Sequence, residues 1–276
     1  FANRNHQAAF LACSLPLIGV LAGMRIRKRG NALQVTIASV AVAALLLLAL
    51  VATGSRAGLV LAVIGAVGAI CCLRSAGAAV GAPDRRWRLL ALAMATGILG
   101  AIALVAARVG VFDRLALTDP AAESRTEMIP PLLRTAEAFM PVGSGFGSFD
   151  SVYRRFEPDS LLSTIYMNHA HNEPLQLAIE GGVPALVLLA LFLLWWTRTA
   201  VRIGHSDIPS ERRSFGIAAV VVTAILMIAS LVDYPLRTPL LGSVFVVACI
   251  EMMRTARRHN RPQTGAPGRD AHRMRF

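Results

Sequence analysis

Seven long apolar blocks divide this chain, and they constrain its fold more than any other feature. Most of them approach the roughly 20 residues that an α-helix needs to cross about 30 Å of hydrocarbon, and the last is the shortest. Backbone groups in hydrocarbon must be satisfied within the segment, and no block alternates with the period of a barrel strand. We therefore predict an all-α fold, a polytopic transmembrane helix bundle with about seven spans. The blocks are 8–24, 32–52, 57–73, 89–107, 175–196, 215–232 and 240–253.

The composition agrees with a membrane protein, because 55% of the 276 residues are hydrophobic and only 16% are charged. The net charge of +12 does not indicate nucleic-acid binding, since the basic residues lie beside apolar blocks and not along one amphipathic face. The four cysteines lie in or beside apolar blocks without metal-ligand spacing, and we interpret them as small buried thiols. The chain opens at Phe1 with no resemblance to a cleavable signal peptide, so we expect further helices upstream.

Basic residues alternate between the gaps that separate the blocks. The first, third and fifth gaps and the tail are rich in arginine, whereas the gap 108–174 has more acids than bases. By the positive-inside rule the arginine-rich gaps are cytoplasmic. The segment 140–182 then faces the outside, which is the periplasm in a Gram-negative cell, and the tail 254–276 is a cytoplasmic, disordered segment.

This topology predicts four parts: helices one to four in 1–107, an outer loop in 108–173, helices five to seven in 174–253, and the tail. Two stretches of the loop, 124–140 and 148–156, have apolar residues at helical spacing and should lie as amphipathic helices over the bundle. Leu132, Leu133, Ala136 and Phe139 form the apolar set of the first stretch, and Phe149, Val152, Tyr153 and Phe156 that of the second.

Two histidines, His169 and His171, stand just before the fifth block. Asn172 is suited to cap that helix and Pro174 to stand in its first turn. A helix N-terminus favours anions and a neutral imidazole, which is what a general base beside an anionic substrate needs. The alternative is that both histidines only hydrogen-bond the loop to the helix. A His-x-His metal pair is a weaker reading, since no third ligand is evident beyond Glu173.

Arg56 lies in a Thr-Gly-Ser-Arg-Ala-Gly turn between two predicted spans. An arginine there either grips a phosphate with two donors or snorkels at the membrane interface. Further arginines of the outer gaps, which could add to a site for an anionic ligand, are Arg125, Arg134, Arg154, Arg155 and Arg237. The glycine-rich stretch 143–147 is not a phosphate-binding loop, because no Gly-Lys-Ser/Thr follows it, and we interpret it as a tight turn.

Several motifs in their order along the chain resemble the O-antigen ligase and polymerase family. They are FANRNH at 1–6, SRAG at 55–58, SR at 124–125, PVGSGFGSF at 141–149, HAHNEPLQ at 169–176, EGG at 180–182 and DYP at 233–235. That family resembles the membrane glycosyltransferases of the C type. The resemblance implies transfer of a glycan from undecaprenyl diphosphate to an acceptor hydroxyl, outside the bacterial cytoplasmic (inner) membrane, with neither nucleotide sugar nor cofactor nor metal.

Position by position, the resemblance implies that His171 is the essential histidine and that Arg56 and Arg125 contact the diphosphate. Members of the family often have an aromatic residue a few positions after the loop arginine, where this chain has Met128 and Ile129. The further candidates for substrate binding are His169, Asn172, Glu173, Arg237 and Tyr153.

The implied partners are a lipid-linked glycan donor, a glycan or lipid A core acceptor, the bilayer and proteins of polysaccharide assembly. A transporter or a scaffold of an export complex is the alternative function. A transporter predicts charges or Gly/Pro breaks deep in the spans, in two repeated halves. The spans contain almost no charge and no obvious repeat, so an enzyme is the preferred reading.

Overall fold

The computed structural model describes residues 3–29, 32–77, 127–159, 167–205 and 208–257, and these parts are helical with short connections. A 3₁₀ turn, Pro235–Arg237, joins the last two helices. The helices are α1 (Arg4–Arg29), α2 (Ala32–Ala52), α3 (Arg56–Gly77), α4 (Ile129–Phe139), α5 (Phe149–Tyr153), α6 (Glu173–Gly204), α7 (Ser210–Ala229) and α8 (Pro239–Arg257).

Six of the described helices, α1 to α3 and α6 to α8, are long and apolar enough to cross a membrane. They contain five of the seven predicted blocks in full and residues 215–229 of the block 215–232, so the helical class and these six elements are confirmed. The fourth block, 89–107, and the tail beyond residue 257 lie outside the described residues.

Small residues bring α1 and α3 together. Gly19 and Gly23 of α1 lie directly against Ala69 and Ala76 of α3, where an added Cβ would collide with the facing helix. Farther along, Gly65 of α3 approaches the α1 backbone in the same way. Helices in lipid gain little from apolar contact alone, because lipid is equally apolar, and small residues allow the close backbone approach that dispersion requires.

α7 packs between the α1–α3 pair and α8. Its Ser214 hydroxyl donates to the Cys72 carbonyl of α3 at 2.9 Å, and Thr223 accepts from the Trp196 indole of α6 at 2.7 Å. Its buried Leu226 belongs to the core that these helices share. α2 stands at the edge of the bundle, so most of its surface is left to face lipid.

A second, smaller core lies between α4, α5 and the first part of α6, where Leu132, Phe149, Tyr153 and Ile179 are buried. Both predicted loop helices are therefore present. Leu133 was expected on the apolar face of α4 but is exposed. Successive helical residues are separated by about 100°, so Leu132 and Leu133 cannot both point at one narrow contact.

A kink divides α6 at Gly182, which has φ +56°. Pro184 has no N–H and Val183 donates instead to the Pro141 carbonyl, so two carbonyls of the preceding turn lose their helical donors. Ser144 and Gly145 replace those donors, bonding the carbonyls of residues 179 and 180 at 2.9 and 2.8 Å. The glycine-rich turn 141–147 thus supplies the hydrogen-bond donors that α6 lacks at its kink.

Candidate active site

Asp233 follows α7, and its buried carboxylate collects donors from three distant parts of the chain. Its Oδ2 accepts from the Asn3 and Asn5 amides at 3.0 and 2.7 Å. Its Oδ1 lies 3.1 Å from His171 Nδ1 and 3.5 Å from His6 Nε2. The same Oδ1 also accepts from the backbone N–H of Tyr234 at 3.0 Å. The start of α1, the segment before α6 and the end of α7 therefore meet at one carboxylate.

The hydrogen bonds decide the charge of Asp233. Burial by itself raises the pKa of this carboxyl group, but the donors from His171, His6, Asn5 and Asn3 outweigh burial and hold the pKa well below its usual range. Asp233 is therefore ionised at neutral pH and can only accept hydrogen bonds.

His171 is held in an uncommon backbone conformation, with φ +48°, which a non-glycine residue adopts at some cost. Because ionised Asp233 accepts at Nδ1, a neutral His171 carries its proton on Nδ1 and a lone pair on Nε2. The His171 side chain is 27% exposed, so it is not sealed in the protein interior. This arrangement is that of an oriented general base.

Three imidazoles surround the ring of Tyr234. The ring centroids of His6, His169 and His171 lie 5.0, 4.4 and 5.0 Å from its centroid. His169 Nδ1 is also 3.4 Å from the Gln176 amide. Burial, followed by the nearby positive charge of Arg237, lowers the pKa of His169 below its ordinary 6.5. His169 is therefore neutral at pH 7.

Arg56 is the first residue of α3 and is exposed at the same end of the bundle as His171. The preceding Ser55 hydroxyl accepts from Gly58 N–H at 2.9 Å and donates to the Asn5 amide oxygen at 2.7 Å. Asn5 in turn donates to Asp233. Three hydrogen bonds thus lead from the start of the Arg56 helix to His171.

Arg237 lies at the end of the 3₁₀ turn and donates to Glu180 Oε2 at 3.0 Å. The Glu180 carboxylate is buried on α6, and its Oε1 accepts from the backbone N–H groups of Gly147 and Phe149 at 3.3 Å each. Gln176, one helical turn earlier, donates to the same oxygen at 3.2 Å.

The other predicted substrate-binding residues have structural contacts. Asn172 caps α6 as predicted, accepting from Leu175 N–H at 2.9 Å. Buried Glu173 accepts from Leu236 N–H at 2.8 Å. Tyr153 is buried and stacks on Phe149 with ring centroids 5.4 Å apart, and burial raises its pKa to about 12. Their roles in substrate binding stay predictions.

Arg125 lies outside the described residues, so its position relative to His171 stays a prediction. Within the ranges that the structure describes, no group of three or more His, Cys, Asp or Glu side chains is arranged to hold a metal ion.

The fold and the site define a multi-pass membrane protein with an oriented histidine at one end of its bundle. A model of the O-antigen ligase family matches residues 41–190, more than half of the 276 residues. The chain belongs to this family and is a membrane glycosyltransferase of the ligase or polymerase type. Comparisons with curated proteins and with solved structures find no match.

Sequence reasoning assigned no role to several residues that build the site. These are Asn3, Asn5, His6, Glu180 and Asp233. All of them stand in motifs that carry the family resemblance, which was the available signal. Four of the five lie outside the matched range 41–190, with only Glu180 inside it.

Proposed function

We propose that this protein transfers a glycan from undecaprenyl diphosphate to an acceptor hydroxyl on the periplasmic side of the bacterial cytoplasmic membrane, in O-antigen or exopolysaccharide assembly. The observation that carries the proposal is the pairing of partly exposed His171 with buried, ionised Asp233 in a membrane glycosyltransferase. The side of the membrane rests on charge, because the connections near His171 are poor in Lys and Arg and those at the opposite helix ends are rich.

In the proposed reaction the acceptor hydroxyl gives its proton to His171 Nε2 while its oxygen bonds to the anomeric carbon of the donor glycan. The bond between that carbon and the diphosphate oxygen breaks, and the electron pair leaves with undecaprenyl diphosphate. Attack opposite the leaving group inverts the anomeric configuration. Asp233 stabilises the imidazolium that forms. General-base help of this kind contributes about a hundred- to ten-thousandfold in rate.

Arg56 and Arg125 bind the diphosphate in this proposal, the second on the family resemblance alone. A guanidinium presents two donors in a plane that matches phosphate oxygens, and its charge stabilises the leaving group as the bond breaks. Removing one such donor typically costs on the order of a hundred- to a thousandfold in rate. Arg237, although paired with Glu180, adds positive charge near His169.

The test is surface polysaccharide from a deletion strain that carries wild type, His171→Ala or Arg56→Ala, with membrane protein levels matched by blotting. His205→Ala and Arg202→Ala, the same substitutions at exposed positions near the other end of α6, are the controls. We expect both site variants to lose most product and both controls to keep it.

The accumulated species identifies the acceptor. Single lipid-linked repeats without polymer indicate a polymerase, and intact polymer left on its carrier indicates a ligase. Full rescue by His171→Ala and Arg56→Ala would remove the catalytic assignment and leave the transporter or scaffold alternative.

A further inference from the structure

The glycine-rich turn 141–147 takes no part in the proposed chemistry, yet it displays two large apolar side chains. Val142 is 75% exposed and Phe146 is 73% exposed. Leu188, on the surface of spanning helix α6, is 67% exposed by comparison. Glycines with positive φ at 143, 145 and 147 shape the turn, with angles of 87°, 97° and 84°. The exposure is therefore built into a defined backbone.

The turn lies where the lipid-facing surface of α6 begins. Val183 N–H donates to the Pro141 carbonyl at 2.8 Å, and the Phe146 ring packs beside Gly181. Immediately beyond the kink, Val183, Val187 and Leu188 are exposed on a helix that crosses the membrane. Val142 and Phe146 extend that apolar surface past the end of the span.

Two contacts fix the level of the turn along the bundle. The end of α6 contacts the start of α7, where Arg213 donates to the Gly204 carbonyl. The start of α6 contacts the end of α7, where Glu173 N–H donates to the Ser230 carbonyl. α7 has 20 residues, so at about 1.5 Å per residue these ends are roughly 30 Å apart. Residues 183–204 of α6, at the same rise per residue, already span that distance. Gly182 and the turn bonded to it therefore lie at the His171 end of the bundle, at the boundary of the hydrocarbon.

We propose that the turn 141–147 is a membrane anchor, with Val142 and Phe146 inserted into the interfacial layer of the bilayer beside α6. Phe and aliphatic side chains bind this layer by burying their apolar surface at the boundary between headgroups and acyl chains. The turn contains no charged residue. Its binding is thus to the apolar part of any phospholipid interface and does not require anionic headgroups.

The anchor is connected to the candidate site through Glu180. The backbone around residues 147–149 donates to one oxygen of this carboxylate, and Arg237 donates to the other. Inserting the turn therefore holds Arg237 at the depth of the phospholipid headgroups. This consequence uses the proposed role of Arg237, whereas the anchor itself does not depend on it.

The test places a spin label at position 142 or 146 of the full chain in phosphatidylcholine nanodiscs. The background has Cys13, Cys71, Cys72 and Cys249 replaced by alanine, and the single changes are Val142→Cys and Phe146→Cys. Val187→Cys on the lipid-facing surface and Arg155→Cys on the exposed side of the loop are the matched controls. Collision with oxygen reports lipid, and collision with a water-soluble nickel chelate reports water.

We expect the ratio of oxygen to chelate collisions at 142 and 146 to be several-fold higher than at 155 and to approach the ratio at 187. A ratio at 142 and 146 as low as that at 155 would overturn the anchor, and so would protection from both reagents, which indicates cover by protein. Adding anionic lipid should leave the ratios unchanged.

A second measurement keeps the native cysteines. A photoreactive benzoylphenylalanine replaces Phe146, and irradiation should yield phospholipid adducts detected by mass spectrometry. Adducts with peptides of this chain alone would overturn the inference. Neither readout requires glycan transfer, so failure of the anchor and failure of the proposed function are separable.

Discussion

Two buried carboxylates, Asp233 and Glu180, organise this end of the molecule in different ways. Each holds one partly exposed side chain: His171, 27% exposed, for Asp233, and Arg237, 28% exposed, for Glu180. The remaining donors to Asp233 are mainly side chains, whereas two of the three remaining donors to Glu180 are backbone N–H groups, those of Gly147 and Phe149.

The difference shows that Asp233 orients the proposed base, whereas Glu180 stabilises the fold. Asp233 selects the tautomer of a group that can take a proton, because its acceptor oxygen faces an imidazole. Glu180 accepts from the exposed backbone N–H of Gly147 and from the buried N–H of Phe149, and pairing the buried donor is a requirement of folding. His169 lies between the two, against Tyr234 on one side and Gln176 on the other.

The sharpest way to break this comparison is Asp233→Asn, which keeps the shape but leaves one acceptor oxygen for donors on both sides. If the new amide NH₂ at position 233 faces His171, the imidazole proton moves from Nδ1 to Nε2 and the proposed base is lost. If the NH₂ faces Asn3 and Asn5 instead, it is placed against their NH₂ groups and no hydrogen bond forms there. We expect turnover to fall about a hundred- to ten-thousandfold. The thermal midpoint should fall by less than in the variant Glu180→Gln.

Glycan transfer by purified protein measures that loss. Asp150→Asn, in an exposed pair with Arg154 on α5, is the control and should be neutral. Near wild-type turnover in Asp233→Asn would show that the carboxylate does not orient a catalytic base.

Glu180→Gln should act mainly on stability, whereas Asp233→Asn acts mainly on turnover. It removes the charge that pairs with Arg237 and one of two acceptor oxygens, leaving donors unpaired at a cost of about 1–3 kcal/mol. The ion pair is lost as well, but Arg237 keeps contact with solvent, so this loss adds little to the cost. We expect the thermal midpoint in detergent to fall by roughly 3–10 °C, with a smaller relative loss of turnover than in Asp233→Asn. A turnover loss equal to that of Asp233→Asn, without loss of stability, would contradict the distinction.

Asn5→Ala tests the link between Arg56 and His171. It removes one donor to Asp233 and the acceptor for the Ser55 hydroxyl. Loss of a net hydrogen bond of this kind corresponds to roughly a two- to tenfold fall in turnover. Asn3→Ala, which removes a donor to Asp233 but not the Ser55 contact, is the matched comparison. An equal effect of the two variants would indicate that the Ser55 contact carries no coupling.

The smallest expected effect is the pH dependence from His169. Its folded-state pKa is lowered, so the folded protein binds fewer protons than the unfolded chain, and stability present above pH 6.5 is lost as the pH falls through the folded value. The thermal midpoint should therefore drop between pH 7.5 and 5, and His169→Gln should reduce that drop. Arg237→Gln should reduce it as well, because Arg237 contributes to lowering the pKa. An unchanged profile in both variants would contradict this assignment.

Local patterns were predictable from the sequence. Hydropathy located six described spans, and side-chain chemistry identified Asn172 as the cap of α6. The partners of Asp233 were not predictable, because Asn3 lies 230 positions away along the chain and no spacing rule connects them. The apolar pattern of α5 indicated a helix but not that Tyr153 would be buried, since an aromatic residue suits an interface equally well.

The glycine-rich stretch was predicted as a turn, and its conformation confirms that. Its bonding to α6 could not be predicted, because that bonding depends on a kink where Val183 turns its N–H away and Pro184 has none.

The contact between Asn3 and Asp233 also determines when the candidate site can form during synthesis of the chain. A ribosome that adds about 5–20 residues per second needs on the order of 10–50 s to synthesise the 230 residues between them. During that interval α1 is already made while the carboxylate that its asparagines bind does not yet exist. The candidate site is therefore completed only after α7 has been made, so a nascent chain that ends before α7 has no Asp233 to orient His171.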